Sequence, residues 1–162
     1  MLTMALFADV DNLYYCVDKR FPGQKLNYEK YYDMVRGENV LLRAFAYGTE
    51  INDNNVGFKT CLKHIGFEPR YKKSKPSNKG ESRINDWNVG IAMEVVRLID
   101  RIDCVTIGSA DPRLAPVVEW VIEKGVRCIV YACGISKELK SSADEFIEIR
   151  DDLLETKKPD II

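Results

Sequence analysis

Apolar runs of strand length recur along this chain and alternate with stretches of helical period. Thr3 to Ala8, Val40 to Tyr47, Phe67 to Lys72, Cys104 to Gly108 and Val126 to Ala132 read as strands of a buried sheet, each bounded by Gly, Asp or Asn. Phe146 to Ile149 offers a sixth. Between them Tyr28 to Arg36, Asn55 to Ile65, Asn85 to Asp100 and Pro112 to Lys124 carry helical period. Gly66 and Gly125 follow two of these helices, where a left-handed C-terminal cap belongs. The alternation predicts an α/β fold with a mainly parallel central sheet flanked by helices. On the third helix Val89, Ala92, Met93 and Val96 fall at i, i+3, i+4 and i+7. That stripe is expected to face the core, with Asp86 one turn earlier, near the core edge and out of open water.

The length of 162 residues and the 46% hydrophobic content suffice for one core and are too little for two ordinary domains. Residues 1–155 are therefore expected to form one domain, followed by a short tail, 156–162, whose lack of pattern suggests loose attachment. No internal repeat or low-complexity tract interrupts the chain. Charged residues make up 30% of it, yet the net charge is −1, so no global basic field marks a nucleic-acid binder and any phosphate-binding surface must be local. The one marked shift in composition runs from Arg70 to Arg83 and reads as a basic loop.

Cys16, Cys61, Cys104, Cys128 and Cys133 form an odd set without a C-x-x-C pair, several of them inside apolar runs, which suits reduced core residues. The opening run from Met1 to Ala8 has no basic start, and Asp9 ends it far short of a membrane span. The expected location is the cytoplasm, without a membrane.

Asp9, Asp11 and Asn12 follow the first strand directly, at the carboxyl end where parallel sheets build their sites. Asp111 stands in the equivalent place after the strand Cys104 to Gly108, and Asp86 opens the preceding helix. Carboxylates converging on one edge repel one another unless a cation neutralises them, and an oxygen-only donor set favours magnesium or manganese. The sole histidine, His64, has no partner at metal spacing, which argues against zinc and against a His-activated nucleophile. Water activated by a metal ion is then the simplest nucleophile. The run Arg70, Tyr71, Lys72, Lys73, Ser74, Lys75 through Lys79 leads into the Asp86 helix and suits a clamp on a phosphate backbone. Ser109 and Arg113, beside Asp111, join Arg70, Lys72, Lys73, Lys75 and Lys79 as candidate contacts to nucleic acid.

Each of these residues also has a plain structural role open to it. Asp111 before Pro112 makes an ordinary helix N-cap. Asp9, Asp11 and Asn12 could form an Asx turn, Asp86 a first-turn acid, and the lysines a solvated loop. Tyr14, Tyr15, Tyr31 and Tyr32 read as packing residues, and His64 as a surface residue.

Taken together, Phe7-Ala8-Asp9-Val10-Asp11-Asn12-Leu13, the segment from Lys79-Gly80 to Asp86, and Gly108-Ser109-Ala110-Asp111 with Pro116-Val117-Val118 resemble the NYN domain family of PIN-like nucleases. Ser142-Ala143-Asp144-Glu145-Phe146 is similar to that family's closing motif. The resemblance covers nearly the whole chain. It implies a PIN-like three-layer sandwich and metal-dependent cleavage of RNA, preferred over DNA, with Asp9, Asp86 and Asp111 as metal ligands and Asn12 as the companion amide. Two positions depart from the family pattern. Its Lys-Gly pair is closely followed by an acid, whereas Lys79-Gly80 lies several residues before Asp86, with Glu81 as a substitute. Its second acid after the fourth strand is replaced by Arg113, which leaves a site of three acids or one in which Asp11 or Asp144 compensates.

Three functions stay open on this reading. The first is a metal-dependent nuclease acting on single-stranded RNA. The second is an RNA-binding regulatory module on the same fold, which Arg113 favours. The third, a nucleotide-binding enzyme, lacks any G-x-G-x-x-G or Walker sequence after the first strand.

Overall fold

The computed structural model describes residues 1–51, 55–76, 78–79 and 82–158. Its strands are β1 Thr3–Asp9, β2 Gln24–Leu26, β3 Val40–Glu50, β4 Glu68–Lys73, β5 Lys75–Pro76, β6 Ser82–Arg83, β7 Cys104–Gly108, β8 Arg127–Ala132, β9 Glu145–Glu148 and β10 Leu154–Thr156. Its α-helices are α1 Val10–Arg20, α2 Tyr28–Arg36, α3 Val56–Ile65, α4 Asn88–Leu98, α5 Ala115–Glu123 and α6 Lys137–Ser142.

The main sheet has six strands in the order β4-β3-β1-β7-β8-β9, and every pairing in it is parallel. The expected α/β architecture is therefore present, with Glu145–Glu148 as its sixth strand. β1 and β7 are central, and nearly all their residues are buried because helices cover both faces. Tyr31 of α2 rests on the face that carries Ala8, and a Cβ on Gly108 would lie 2.7 Å from its hydroxyl. Only glycine admits that approach, which lets the buried Tyr31 hydroxyl donate to the carbonyl of Tyr131 at 2.7 Å. On the opposite face Phe7 stacks on Phe45, Phe45 lies against Tyr47, and Tyr47 meets Trp87 at the start of α4. The chain runs one way from β1 to β3 and β4 and the other way from β7 to β8 and β9, so the strand order reverses between β1 and β7. Connections leaving in opposite directions there open a crevice at the carboxyl ends of these two strands.

Several expectations need correction. Asp11 and Asn12, read with Asp9 as a possible turn after the first strand, begin helix α1, which runs to Arg20 and whose buried side is Val10, Leu13 and Val17. On α4 the core-facing residues are Ile91, Val95 and Leu98, while Val89, Met93 and Val96 are exposed. Both faces of this helix are apolar, so period alone does not select between them. Helix Pro112 to Lys124 starts as a 3₁₀ turn over Pro112–Leu114. The strand expected from Phe67 to Lys72 is edge strand β4, and the basic stretch from Arg70 to Arg83, read as a loop, starts inside it and goes on into the paired strands β5 and β6. The start of the expected loose tail is tied down, since Thr156 pairs with Gln24 and the Lys157 amide donates to the Gly23 carbonyl at 2.9 Å. Positions 159–162 of that tail lie outside the described residues. Gly66 and Gly125 do adopt positive φ after α3 and α5. The cysteines are free, with Cys104, Cys128 and Cys133 buried and Cys61 exposed. Tyr14 and Tyr15, expected to pack, are exposed. No helix among the described residues is long and apolar enough to cross a membrane.

Candidate active site

β1 delivers Asp9 to the crevice because its last residue is also the N-cap of α1. The Asp9 carboxylate accepts from the Asn12 amide at 3.1 Å, satisfying one of the free donors of the helix start. Only 9% of Asp9 is exposed. Burial pushes its carboxyl up to about 6; the Asn12 amide opposes this, and the negative charges of Asp11, Asp111 and Asp86 add to it. Asp11, one residue on, accepts from the Thr49 hydroxyl at 2.8 Å, and its carboxyl is also raised, chiefly by burial.

β7 delivers Asp111 through the turn Ser109-Ala110. The Asn12 side-chain oxygen accepts from the Ala110 amide at 2.9 Å, so α1 holds this turn in place. Asp111 caps the 3₁₀ turn by accepting from the Arg113 amide at 2.9 Å. Asp111 is therefore the expected N-cap, and its carboxylate also faces the crevice. Asn88 at the start of α4 donates to Asp111 Oδ2 at 3.0 Å. Asp86 lies beside it, 53% exposed at its side chain, where its Oδ1 accepts from the Asn88 amide at 2.9 Å. The expectation that Asp86 avoids open water is corrected accordingly.

Arg113 joins these two acids. Its guanidinium bonds Asp111 Oδ2 through Nη2 at 2.7 Å and Asp86 Oδ2 through Nη1 at 2.7 Å. The Arg113 side-chain bond is the first cause that lowers the Asp111 carboxyl to about 2, against a burial effect of opposite sign. Arg113 itself is held charged by Asp111 and Asp86. Its side chain is 66% exposed, so it reaches the acids from solvent. In this arrangement a guanidinium stands where the sequence predicts a divalent ion. No group of three His, Cys, Asp or Glu side chains among the described residues is gathered closely enough to hold a metal.

Asp9, Asp11, Asn12, Asp86, Asp111 and Arg113 thus share the crevice, and other predicted residues do not. Asp144 accepts from the Cys128 amide at 2.8 Å, near the start of β8 and at the opposite end of the sheet, so it cannot compensate for the missing acid. Ser109 is fully buried, with its hydroxyl accepting from the Asp111 amide at 3.2 Å, and supports the turn instead of meeting nucleic acid. Arg70 pairs with Glu68 at 3.3 Å and lies over the Phe45 ring, in a cluster with Arg43. Glu81, with Gly80, lies outside the described residues. Lys72, Lys73 and Lys75 are exposed, and Lys72 Nζ sits 4.1 Å from the centre of the Trp87 ring.

Sequence reasoning missed Thr49, Asn85 and Asn88. Thr49 connects the strands to the acids, since its hydroxyl donates to Asp11 and accepts from the Asn85 amide at 2.9 Å. Asn85 also donates to the carbonyls of Lys72 and Lys73 at 3.1 and 3.0 Å, which ties the basic edge to the Asp86 turn. The amides flanking Asp86 in Asn85-Asp86-Trp87-Asn88 were the available signal.

A protein of unknown function from Vibrio parahaemolyticus, VPA0982, has a crystal structure similar to this one, at a TM-score of 0.84 and 25% identity, covering 94% of this chain and 96% of that one. Phosphofructokinase-2 from Escherichia coli matches at a TM-score of 0.39 and 13% identity over 88% of this chain and 53% of that one, too slight a likeness to bear on fold or function. No curated protein matches the chain significantly. The model of the NYN domain family matches residues 3–153, nearly the whole sequence. The chain belongs to the NYN domain family of PIN-like nucleases.

Proposed function

We propose that this protein is a magnesium- or manganese-dependent endoribonuclease that cuts single-stranded RNA in the cytoplasm. The observation that carries this reading is Asp9: a carboxylate buried at the switch point, raised to about 6, with Asp11, Asp86 and Asp111 close enough to raise it further. Such a cluster is costly for a fold to keep unless a cation joins it. The donors are all oxygens, which suits a hard divalent ion. Arg113 spans Asp86 and Asp111, so one cationic group already serves both carboxylates, and its largely exposed side chain can withdraw into solvent. Asp9, Asp86 and Asp111, which as they stand are not gathered closely enough for a three-ligand site, would have to draw together on the ion as Arg113 withdraws, and the ion would supply Lewis acidity and positive charge at a phosphodiester. Asn12 would keep Asp111 in position through the Ala110 amide. Lys72, Lys73 and Lys75 would neutralise flanking phosphates along the edge of the sheet.

Arg113 favours a second reading, an RNA-binding regulatory module in which the guanidinium permanently replaces the ion. Labelled single-stranded RNA and DNA incubated with manganese, magnesium or chelator separate the two. The nuclease reading expects metal-dependent cutting of RNA, less of DNA, and none with chelator. RNA binding without cleavage under every condition, combined with cleavage by Arg113→Asp, would establish the module reading.

A further inference from the structure

A cavity of about 810 Å³ opens beside the acid site, on the side of the sheet away from Trp87, between α1, the start of α2 and α3. It lies within the range of roughly 300–1,000 Å³ typical of small-molecule sites. Asp11 and Thr49 belong both to its wall and to the acid site, so the two spaces adjoin. The rest of the lining is mostly apolar, and four aromatic rings stand in it: Tyr14, Tyr28, Phe58 and Tyr71. Tyr28 and Phe58 meet edge to face at 5.5 Å, and Tyr14 and Phe58 are both exposed. The Tyr71 hydroxyl is buried without a hydrogen-bond partner among the described residues.

We infer that this cavity takes one unpaired nucleobase of the strand whose phosphate lies at the acid site. The inference rests on the reading of that site as one that handles nucleic acid. Chemistry separates the base from the other parts of a nucleotide. A phosphate is disfavoured inside, because Asp11, Glu29 and Glu155 contribute carboxylates to the wall. The lysines near the mouth are already engaged, Lys25 with Glu155 at 3.2 Å and Lys157 with Asp18. What the wall offers is ring edges and the ring faces left open by Lys157 over Tyr14 and Lys59 over Tyr71, which bind a flat, uncharged, partly polar group. A base fits that description, and stacking on aromatic side chains tolerates any base. Double-stranded nucleic acid would first have to flip a base out of its stack, at a cost in stacking and pairing that an unpaired base avoids. The cavity therefore contributes a preference for single strands.

The test uses the full chain in chelator, so that binding is measured without cutting. A fluorescein-labelled seven-residue RNA is titrated by anisotropy, and then a series in which each base in turn is replaced by an abasic ribose. One position, or two adjacent ones, is expected to lose about tenfold in affinity, within the range of base-on-aromatic stacking. Tyr14→Ala and Phe58→Ala should each lose a comparable factor with the intact strand and little more with the abasic strand that hurts the wild type. Both side chains are exposed, and thermal melts of the variants confirm that the fold is kept. A flat abasic scan with salt-dependent binding would overturn the cavity assignment and leave the nucleic-acid reading standing. Losses from variant and abasic strand that simply add would overturn it as well. Absence of any RNA binding would overturn both readings.

Discussion

Asp9 ends one central parallel strand and Asp111 follows the end of its neighbour by three residues, and each caps the helical turn that follows, yet they hold protons in opposite ways. Asp9 is raised to about 6 and Asp111 is lowered to about 2. The backbone geometry is similar, so the difference lies in what surrounds the caps. Asp9 is buried with a neutral amide as its only donor among the described residues, whereas Asp111 receives a guanidinium from solvent. The crevice is therefore divided into a half that lacks a cation and a half that carries its own. A divalent ion would gain most by joining the first half and would have to displace Arg113 to join the second.

The largest effect is expected from Asp9→Asn. Unfolded Asp9 loses its proton near the ordinary value of 3.8, and folded Asp9 keeps it to about 6. Between these values the folded state binds more protons, so its contribution to stability is full below about pH 4 and falls as pH rises to 6. The folded charge then costs on the order of 2 to 3 kcal/mol at neutral pH. Asparagine keeps the cap and removes the charge. The variant should be more stable than the wild type by about that amount at pH 7.5 and by little at pH 4 in urea titrations, and should cleave nothing. Equal stabilities at pH 7.5 would mean that Asp9 is not held at that cost.

Arg113→Ala comes next, because it makes the two halves alike. The ion pair is largely solvated, so its loss should cost less than about 1 kcal/mol. The pH dependence is the clearer readout. The paired Asp111 contributes stability that is full above about pH 4 and lost as pH falls toward 2, and this acid-side slope should flatten in the variant. Manganese affinity, followed by calorimetry, should rise about tenfold, since Asp86 and Asp111 no longer have a competing cation. An unchanged affinity would place the ion away from these residues.

A smaller effect is expected from Asp111→Asn. Repulsion among the acids, taken alone, would predict a more stable protein on loss of this charge, but the charge is already neutralised by Arg113. Asparagine caps about as well as aspartate, and the remaining change is the loss of a solvated pair, so stability should shift by no more than about 0.5 kcal/mol. Retention of the manganese-induced rise in melting temperature in this variant would remove Asp111 from the ligand set.

The same contrast accounts for what was legible in the sequence. β1, β7 and β8 are uninterrupted apolar runs because both faces of a central parallel strand are buried, and that alone located Asp9 and Asp111 at its carboxyl edge. α1 was obscured because Asp9, Asp11 and Asn12 look like a turn, and its buried positions Val10, Leu13 and Val17 are separated by polar and exposed aromatic residues. On α4, Ile91, Val95 and Leu98 satisfy the helical period as well as Val89, Met93 and Val96 do, so only the packing decides between the faces. The three-residue strands β2 and β10 are too short to leave a pattern. The Arg113 bridge to Asp86 spans 27 positions. The sequence marks Arg113 as a departure from an acidic position, but its distance from Asp86 in space is a property of the fold.

The basic edge should affect the chemical step least and ionic-strength dependence most. Lys73 and Lys75 are exposed, and Lys72 rests on the Trp87 ring, so the triple change Lys72→Ala, Lys73→Ala, Lys75→Ala should cost little beyond that contact, about 0.5 to 1 kcal/mol. Each lysine that neutralises a phosphate releases counterions, so log affinity for single-stranded RNA falls with log salt by about 0.7 per contact. If all three make such contacts, the slope should drop by about 2 in the variant, while the rate of cleavage at saturating RNA stays near that of the parent. The carboxylates at the sheet's carboxyl edge would govern the chemical step, and the lysines, tied to that edge by Asn85, would set how long the strand stays. An unchanged slope would make β4 and the β5–β6 hairpin a solvated edge. The phosphate path would then run on the other side of the crevice.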